Sequence, residues 1–195
     1  MTTLVGIDEV GLGALAGPAV VAAVEIEDGV VLGVKDSKKI HNRLRMRELA
    51  RQIKKKSRWA IFEASAQEIN EHGIKACWRK LVRLACIQFQ HSDDIWIDGS
   101  RDAQVESRLS DGLGICIHFL IRGDQKMYQI SAASIVAKAY RDALMTKLHR
   151  MYSEYEWSKN VGYGTPDHIS SIRQFGLSPQ HRTLFCRNIS CDLLS

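Results

Sequence analysis

Prolines are scarce in this chain of 195 residues: there are three, and no composition shift marks a linker. The chain has no internal repeat and no low-complexity segment, and no apolar run approaches the roughly 20 residues that a membrane helix needs. Asp8 and Glu9 follow the first short apolar stretch, with no basic region before it, so we expect no signal peptide. The length and composition predict one globular domain, or one domain with a small appendage, and exclude collagen, disordered tails and disulfide scaffolds.

Cysteines are few and are not arranged in pairs. Their number is odd, no Cys-x-x-Cys motif is present, and they are Cys77, Cys86, Cys116, Cys186 and Cys191. This pattern favours reduced thiols in a cytosolic protein over a zinc site. We therefore expect a cytoplasmic protein.

Positive charge is concentrated in one segment. The net charge is +5, but residues 35–58 contain eleven lysines and arginines against two acids, so this segment carries +9 and the rest of the chain −4. Such asymmetry is typical of a surface that faces a polyanion, and we favour that interpretation over a helix face that only meets solvent. Apolar residues at i, i+3, i+4 and i+7 predict an amphipathic helix with its cations outward; they are Met46, Leu49, Ala50 and Ile53.

Apolar runs and helical patterns alternate along most of the chain. Five runs predict strands, the fourth of them fully buried: Leu4–Ile7, Ala19–Ile26, Trp59–Phe62, Ile95–Ile97 and Ile115–Ile121. A capping-box pattern at Ser65 and Glu68 opens a helix whose apolar face extends from Ile74 to Ala85. A long helix is expected around residues 132–143, and a Gly-Tyr-Gly-Thr-Pro turn at 162–166 precedes a shorter one. This order predicts an α/β sheet with a C-terminal helical lobe.

Acidic residues follow three of the predicted strands. Asp8 and Glu9 end the first strand, Asp98 follows the fourth, and Asp124 comes shortly after the fifth. Strand ends can converge at one edge of a sheet, and adjacent buried carboxylates repel one another and need a cation. Their hard oxygens suit Mg²⁺ or Mn²⁺, and several carboxylates around two such ions make a site that cleaves phosphodiesters. Together with the basic segment, this predicts a nucleic-acid substrate.

An ordered set of motifs carries a resemblance to a known family. The sequence Gly-Ile-Asp-Glu-Val-Gly-Leu-Gly-Ala-Leu-Ala-Gly-Pro at 6–18 is similar to the opening signature of bacterial ribonuclease HII. The likeness continues, in the order of that family, with Asp-Ser-Lys-Lys at 36–39, Ile-Asp-Gly at 97–99, Gly-Asp at 123–124, Ile-Ser-Ala-Ala-Ser-Ile-Val-Ala-Lys at 130–138, Arg-Asp at 141–142, Gly-Tyr-Gly-Thr at 162–165 with His168, and His181, Arg182 and Phe185. Each motif is weak alone, but the ordered set covers nearly the whole chain and is specific.

The resemblance implies a ribonuclease H-like α/β fold, with a central five-stranded mixed sheet flanked by helices and a C-terminal helical extension. It implies a catalytic core over residues 1–150 and a substrate-binding extension over residues 151–195, within one compact unit. The implied enzyme is a metal-dependent endoribonuclease that cleaves the RNA strand of RNA/DNA hybrids. It also incises at ribonucleotides embedded in duplex DNA and leaves 3′-hydroxyl and 5′-phosphate ends.

The four acidic positions of that family fall on Asp8, Glu9, Asp98 and Asp124. By the resemblance, these residues would hold two divalent ions, Mg²⁺ or Mn²⁺, and no protein nucleophile or histidine base would be required. The expected partner is nucleic acid and not a membrane, and we expect a monomer.

The resemblance also implies residues that contact the substrate. Gly11, Leu12 and Gly13 lie where the family has Gly-Arg-Gly, whose backbone contacts the ribose 2′-hydroxyl, and such a contact distinguishes RNA from DNA. Tyr163 matches a tyrosine that packs on the sugar beside the scissile junction. The candidate phosphate contacts are Lys38 and Ser134, with Ser37 and Lys138 as weaker candidates.

Two positions depart from the pattern of the family. Leu12 stands where the family has arginine, and Val161 precedes the Gly-Tyr pair where the family usually has lysine. The missing arginine puts selectivity for the ribonucleotide junction in question, while the cutting chemistry is unaffected. His168 and His181 are expected either to be structural or to lie near a phosphate.

Two other functions stay open on the sequence alone. One keeps the fold and the metals but acts on another substrate, as a junction resolvase would; the motifs that contain Ser134 and Tyr163 argue against it. The other is a catalytically silent protein that binds hybrids, and its signature would be the loss of a carboxylate. All four carboxylates are present, so we favour the ribonuclease.

Overall fold

A computed structural model describes residues 3–34, 42–106 and 116–190 of the chain. Five strands form one sheet: β1 Leu4–Val10, β2 Ala19–Glu25, β3 Arg58–Ala64, β4 Asp94–Asp98 and β5 Ile117–Leu120. They lie side by side in the order β3-β2-β1-β4-β5. Strand β1 is antiparallel to β2 and parallel to β4, and β4 is parallel to β5. The five predicted strands and the mixed sheet are thus confirmed.

Helices fill most of the remaining described chain. The bounds are α1 Arg43–Lys56, α2 Ala66–His72, α3 Ile74–Gln88, α4 Gly123–Lys126, α5 Tyr128–Met151, a 3-10 turn at Ser153–Tyr155, α6 Trp157–Asn160, α7 Pro166–Phe175 and α8 Arg187–Ser190. The helical C-terminal part expected from the sequence is therefore present. Within the described residues, no helix is both long and apolar enough to span a membrane.

The basic helix α1 forms as its sequence predicts. The Asn42 side-chain oxygen caps it by accepting the amide hydrogens of Leu44 and Arg45, at 2.8 and 3.2 Å. Its four predicted apolar residues are buried, and its last turn consists of lysines, which interact favourably with the negative end of the helix dipole. One lysine departs from the outward pattern, because the Lys54 Nζ lies 4.3 Å from the centre of the Trp59 ring.

Three details differ from the sequence prediction. The capping box at Ser65 and Glu68 is present, but the helix it opens stops at Gly73, whose φ of 80° ends α2 and separates it from α3. Strand β4 alternates between buried and half-buried residues instead of being fully buried. Strand β5 begins at Ile117, and Ile115 lies outside the described residues.

The described chain divides into two compact units. The first takes the described residues within 1–10, 20–62 and 79–139, and the second takes those within 11–19, 63–78 and 140–195. The core of the second unit is built from Ala16, Met145, Tyr155, Trp157, Ile172 and Cys186. The division near residue 150 that the resemblance implies stays a prediction.

Candidate active site

Three parallel strands of the first unit bring acidic residues to the same edge of the sheet. Ile7 on β1 pairs with Ile97 on β4, so the next residues, Asp8 and Asp98, lie at neighbouring strand positions. Asp98 pairs in turn with Leu120, the last residue of β5, and Asp124 follows in the first turn of α4. The carboxyl ends of β1, β4 and β5 therefore carry the acids that the sequence singled out.

Asp8 is the acid in the least favourable surroundings for a charge. Its side chain is 5% exposed. Burial raises the pKa of Asp8 well above its usual range, and the charges of Glu9 and Asp98 raise it further. Hydrogen bonds from the Ser134 side chain and from the Glu9 amide, at 2.8 Å, oppose this rise. A bound divalent cation would stabilise the charged form of a carboxylate that is nearly buried beside two others.

Asp98 and Asp124 are held together through the backbone. The Gly123 amide donates a hydrogen bond of 2.7 Å to Oδ1 of Asp98, which fixes the start of α4 against the end of β4. Asp124, the next residue, is 8% exposed. Arg122 makes this turn with a left-handed backbone, at φ 56°. Asp124 therefore follows directly on the residue that binds the end of β4.

The donor set at this edge fits a pair of Mg²⁺ or Mn²⁺ ions. All four side chains offer carboxylate oxygens, the ligands that these hard cations prefer. Among the described residues, no three of the four have ligand oxygens that all lie within 4.8 Å of one another. Within these described residues, the fit therefore rests on the chemistry of the donors and not on a preformed cage.

Helix α5 approaches this edge because Gly6 has no side chain. A Cβ on Gly6 would lie 2.1 Å from the backbone carbon of Gln129 and 2.2 Å from the Ile130 nitrogen, distances that no real side chain tolerates. The helix backbone therefore rests directly on β1, and Ser134 reaches Asp8 from it. Gly6 is a functional position that we did not single out from the sequence, although it stands within the first motif.

The glycine-rich loop at residues 11–18 lies in the second unit and is held by two buried arginines. Arg182 donates to the carbonyl oxygens of Gly11, Leu12 and Gly17, at 2.7–3.0 Å. Arg141 donates to those of Pro18 and Ala16, at 2.9 and 3.1 Å, and to that of Val161 at 2.8 Å. Both guanidiniums are fully buried, and burial lowers the pKa of Arg182 to about 10, so it stays charged at neutral pH.

These arginines orient the backbone of the loop. With the Gly11 and Leu12 carbonyls bonded to a buried guanidinium, the peptide groups that follow turn their N–H groups the other way. Within the described part of the chain, the amides of Leu12 and Gly13 donate to no protein acceptor, and Gly13 is exposed. A Cβ on Gly11 would lie 2.2 Å from the Arg141 side chain, so the first glycine leaves room for that clamp.

Tyr163 lies in the same unit and is 37% exposed. A buried histidine supports its backbone: Nδ1 of His168 lies 2.9 Å from the Tyr163 carbonyl oxygen. The Arg141 guanidinium lies 5.4 Å from the centre of the tyrosine ring. Tyr163 therefore presents an aromatic surface to solvent on a turn that is rigidly held from below.

His168 and His181 are structural in this molecule. Both are buried, and their Nε2 atoms lie 3.2 Å apart. The Trp157 indole donates to Nε2 of His168 at 3.0 Å, and the Ser178 amide donates to Nδ1 of His181 at 2.9 Å. Every ring nitrogen therefore has a partner when both rings are neutral, with the hydrogens on Nδ1 of His168 and Nε2 of His181.

Comparisons with known proteins agree with this architecture. A family model described as ribonuclease HII matches residues 5–188. The chain belongs to the ribonuclease HII family. The ribonuclease HII of Clostridium acetobutylicum is 39% identical over 193 residues, covering 95% of this chain and 73% of that protein. That of Pelagibacter ubique is 37% identical over 186 residues, covering 95% and 96%. The solved PCNA:RNase HII complex from Archaeoglobus fulgidus matches with a TM-score of 0.83 and 25% identity, over 95% of this chain and 96% of that one.

Membership of the ribonuclease HII family confirms the ribonuclease H-like fold and the class of enzyme. The protein is an endonuclease, a hydrolase with ribonuclease H activity on RNA/DNA hybrids, and it belongs to a family that depends on divalent metal. The junction-resolvase and silent-binder hypotheses lose their support, because residues 5–188 match one family of ribonucleases.

The predicted site residues fall into three sets. In the first unit Asp8 lies near Glu9, Asp98 and Ser134, and Asp124 follows the glycine whose amide binds Asp98. In the second unit Arg182 bonds the carbonyl oxygens of Gly11 and Leu12, and Arg141 bonds that of Val161, two residues before Tyr163. Lys38 and Ser37 lie outside the described residues. The roles of Arg141 and Arg182 in holding the loop were not predicted from the sequence. The signal available for Arg141 was its place among the small apolar residues of α5.

Proposed function

We propose that the protein cleaves the RNA strand of RNA/DNA hybrids and incises duplex DNA at embedded ribonucleotides, leaving 3′-hydroxyl and 5′-phosphate ends. Asp8, Glu9, Asp98 and Asp124 are the catalytic residues in this proposal. The observation that carries it is the environment of Asp8, a carboxylate that is nearly buried beside Glu9 and Asp98 and hydrogen-bonded with Ser134. No purely structural role accounts for such an accumulation of negative charge at one sheet edge.

The four carboxylates are also the proposed metal ligands. Two Mg²⁺ or Mn²⁺ ions held there would activate a water for in-line attack on the phosphorus and would stabilise the leaving 3′-oxygen. The contribution of the protein is to orient its ligands in advance. The Glu9 amide and the Ser134 hydroxyl fix the Asp8 carboxylate, and the Gly123 amide fixes that of Asp98.

The protein needs no histidine base in this mechanism. His168 and His181 are buried in the second unit, and their ring nitrogens are engaged with Tyr163, Trp157, Ser178 and one another. Neither ring offers a free lone pair to a substrate water. Proton transfer from the attacking water therefore belongs to the carboxylate edge of the first unit.

Recognition of the ribose is proposed for the second unit. The Leu12 and Gly13 amides, turned away from the Arg182 clamp, are suited to donate to a 2′-hydroxyl, and the exposed ring of Tyr163 is suited to pack on a sugar. Residues 151–195 then act as a substrate-binding extension of the catalytic core at 1–150. The phosphate contacts proposed for Lys38 and Ser134 are secondary, because in this structure the Ser134 hydroxyl is engaged with Asp8.

One cleavage experiment tests the proposal. A duplex with a single embedded ribonucleotide, a continuous RNA/DNA hybrid and an all-DNA four-way junction are incubated with Mg²⁺ or Mn²⁺ in turn, and the ends of the products are mapped. We expect incision of the first two substrates only, with 3′-hydroxyl ends. The Asp8→Asn and Asp98→Asn variants should cleave at least about a hundredfold more slowly, because loss of a ligand removes several kcal/mol of transition-state stabilisation. Undiminished cleavage by either variant contradicts the proposed catalytic residues. Cleavage of the all-DNA junction contradicts the proposed substrate.

A further inference from the structure

Three side chains of different chemistry meet at the other end of β4. Oδ1 of Asp94 lies 2.8 Å from Nε2 of His118, and the Cys116 Sγ lies 3.3 Å from the same nitrogen. Asp94 begins β4 and Asp98 ends it, so the four intervening steps place this cluster about 13 Å from the carboxylate edge. The cluster is therefore separate from the proposed catalytic residues.

The strand register explains why the three side chains meet. Trp96 on β4 pairs with His118 on β5, and residues two apart on a strand share a face. Asp94 and Trp96 therefore face the same way as Cys116 and His118. The Trp96 ring stacks on the imidazole, with ring centres 4.3 Å apart and planes at 21°. This stacking fixes the imidazole so that Nε2 points at both the carboxylate and the thiol.

The geometry does not suit a nucleophilic relay. In a Cys-His-Asp relay the thiol and the carboxylate contact different ring nitrogens, so that a proton can pass through the imidazole. Here both groups face Nε2 of His118. The three ligand atoms all lie within 4.8 Å of one another, so they are close enough to bind one metal ion.

We propose that Asp94, Cys116 and His118 bind Zn²⁺. Thiolate, imidazole and carboxylate are the ligands that zinc takes in proteins, at about 2.3, 2.0 and 2.0 Å. Tetrahedral angles at those lengths separate oxygen from nitrogen by about 3.3 Å and sulfur from nitrogen by about 3.5 Å. The observed distances, 2.8 Å from oxygen to nitrogen and 3.3 Å from sulfur to nitrogen, therefore need to increase only slightly to admit the ion. A carboxylate, a thiolate and a neutral imidazole together also balance the charge of the ion.

The cluster is open to solvent, which decides how zinc would reach it and what would complete its coordination. Asp94 and His118 are about one-third exposed, at 32% and 36%, and Cys116 is exposed. Zinc can reach these ligands from solvent, and water can complete the fourth position. The soft sulfur ligand distinguishes the cluster from the carboxylate edge, whose oxygens prefer Mg²⁺ or Mn²⁺. Zinc bound here links the residue before β5 to the first residue of β4.

Cobalt substitution tests the proposal, because Co²⁺ bound to a thiolate gives a sulfur-to-metal charge-transfer band that carboxylate ligands cannot produce. The full chain, freed of metal, is titrated with Co²⁺ and then with Zn²⁺ at neutral pH. We expect one equivalent of Co²⁺ to give this band and Zn²⁺ to displace it. Cys116→Ser should abolish the band, and His118→Gln should weaken zinc binding by at least about a hundredfold, more than the loss of an outer-shell partner costs. A wild-type protein without the band overturns the proposal.

Two matched variants serve as controls. Cys191→Ser removes the thiol that lies outside the described residues, and His91→Gln removes an exposed imidazole three residues before Asp94. Both should bind Co²⁺ like the wild type; a band lost in Cys191→Ser, or kept in Cys116→Ser, assigns the sulfur elsewhere and overturns the proposal. Cys116 is exposed, so its serine variant should fold. Cleavage of a hybrid with Mg²⁺, measured on the same samples, should be equal in wild type and Cys116→Ser, and it tests the proposed function separately.

Discussion

At the scale of single residues, Asp8 is a carboxyl group whose burial disfavours its charged form. The folded protein holds this carboxyl nearly buried, beside Glu9 and Asp98, so its pKa is raised mainly by burial. A group whose folded pKa lies above its unfolded value binds more protons in the folded state, and the free energy of unfolding then falls as pH rises. Without divalent metal, the raised pKa of Asp8 therefore makes the fold less stable at neutral pH than at low pH.

The Asp8→Asn variant should consequently be more stable than the wild type in the absence of divalent metal. Asparagine keeps the shape of the side chain and removes its charge, and each kcal/mol recovered raises Tm by about 2–4 °C in a chain of this size. Thermal unfolding with a chelator at neutral pH measures the difference in Tm between the variant and the wild type. Adding Mg²⁺ should reduce this difference, because the ion stabilises the wild type. A lower Tm for the variant in chelator would show that Asp8 stabilises the fold by itself.

Leu12 is the residue that tests the proposed recognition of a ribonucleotide by the second unit. A side-chain phosphate contact, absent here, contributes about 1.5–3 kcal/mol when charged, which is roughly ten- to a hundredfold in binding. Leu12→Arg should therefore raise kcat/KM on a duplex with one ribonucleotide more than on a long hybrid, which offers many other contacts. The ratio of the two kcat/KM values, at one salt concentration, is the measurement. Equal effects on both substrates, or a loss of activity, would show that Leu12 does not replace a phosphate contact.

At the scale of elements, periodicity and capping residues were sufficient to predict most of the fold. The strands, the amphipathic α1 and the α7 start at Thr165 and Pro166 follow from local patterns. What could not be predicted depends on tertiary contacts. The approach of α5 to Gly6 requires a backbone collision that only the packed sheet reveals, and the clamps made by Arg141 and Arg182 join residues more than a hundred positions apart.

The candidate site shows the same division. The four carboxylates could be singled out because three lie in or at the end of an apolar strand and Asp124 follows the turn after β5. The cluster of Asp94, Cys116 and His118 could not, since its aspartate belongs to another strand and cysteine spacing alone favoured free thiols. Pairing of β4 with β5 creates it, and that pairing is absent from any local pattern.

Stability of the second unit should depend on the protonation of His168 and His181. Burial, followed by the neighbouring His168, lowers the pKa of His181 to about 4, and burial lowers that of His168. The unfolded chain binds these protons near pH 6.5, so the stabilisation is fully present above that pH and is lost as pH falls toward about 4. Each histidine contributes a slope of up to about 1.4 kcal/mol per pH unit over its interval.

Denaturant unfolding between neutral pH and about pH 5 measures this slope. The variant His181→Gln should be less stable at neutral pH, because it breaks the bonds to His168 and Ser178, yet its stability should change less with pH than that of the wild type. The exposed-histidine variant His91→Gln should keep the wild-type slope. Comparing slopes between variants removes the contribution of carboxyl groups, including the opposite trend of Asp8. An equal slope in His181→Gln would contradict the buried neutral pair.

At the scale of the whole molecule, the unequal distribution of charge is the property that matters for a polyanionic substrate. The segment 35–58 carries +9 while the rest of the chain carries −4. In the described part of this segment, α1 buries its apolar face and exposes Arg43, Arg45, Arg47, Lys55 and Lys56, among others. Lys54 packs on Trp59, and Arg51 pairs with Glu48, so these two cations are less suited to phosphate contacts.

Binding to duplex should therefore depend steeply on salt through the exposed face of α1. Each phosphate contact releases counterions, so the logarithm of affinity falls with the logarithm of salt concentration by about 0.9 per contact on B-DNA. The triple variant Arg43→Glu, Arg47→Glu, Lys55→Glu should reduce the steepness of this slope by the equivalent of up to about three phosphate contacts. A control with the same change in net charge reverses three exposed bases on other helices: Lys75, Lys147 and Arg150. Binding of uncleaved duplex without divalent metal, over a series of monovalent salt concentrations, gives both slopes. If the control flattens the slope as much as the α1 variant does, net charge and not a phosphate-facing helix governs binding, and α1 only meets solvent.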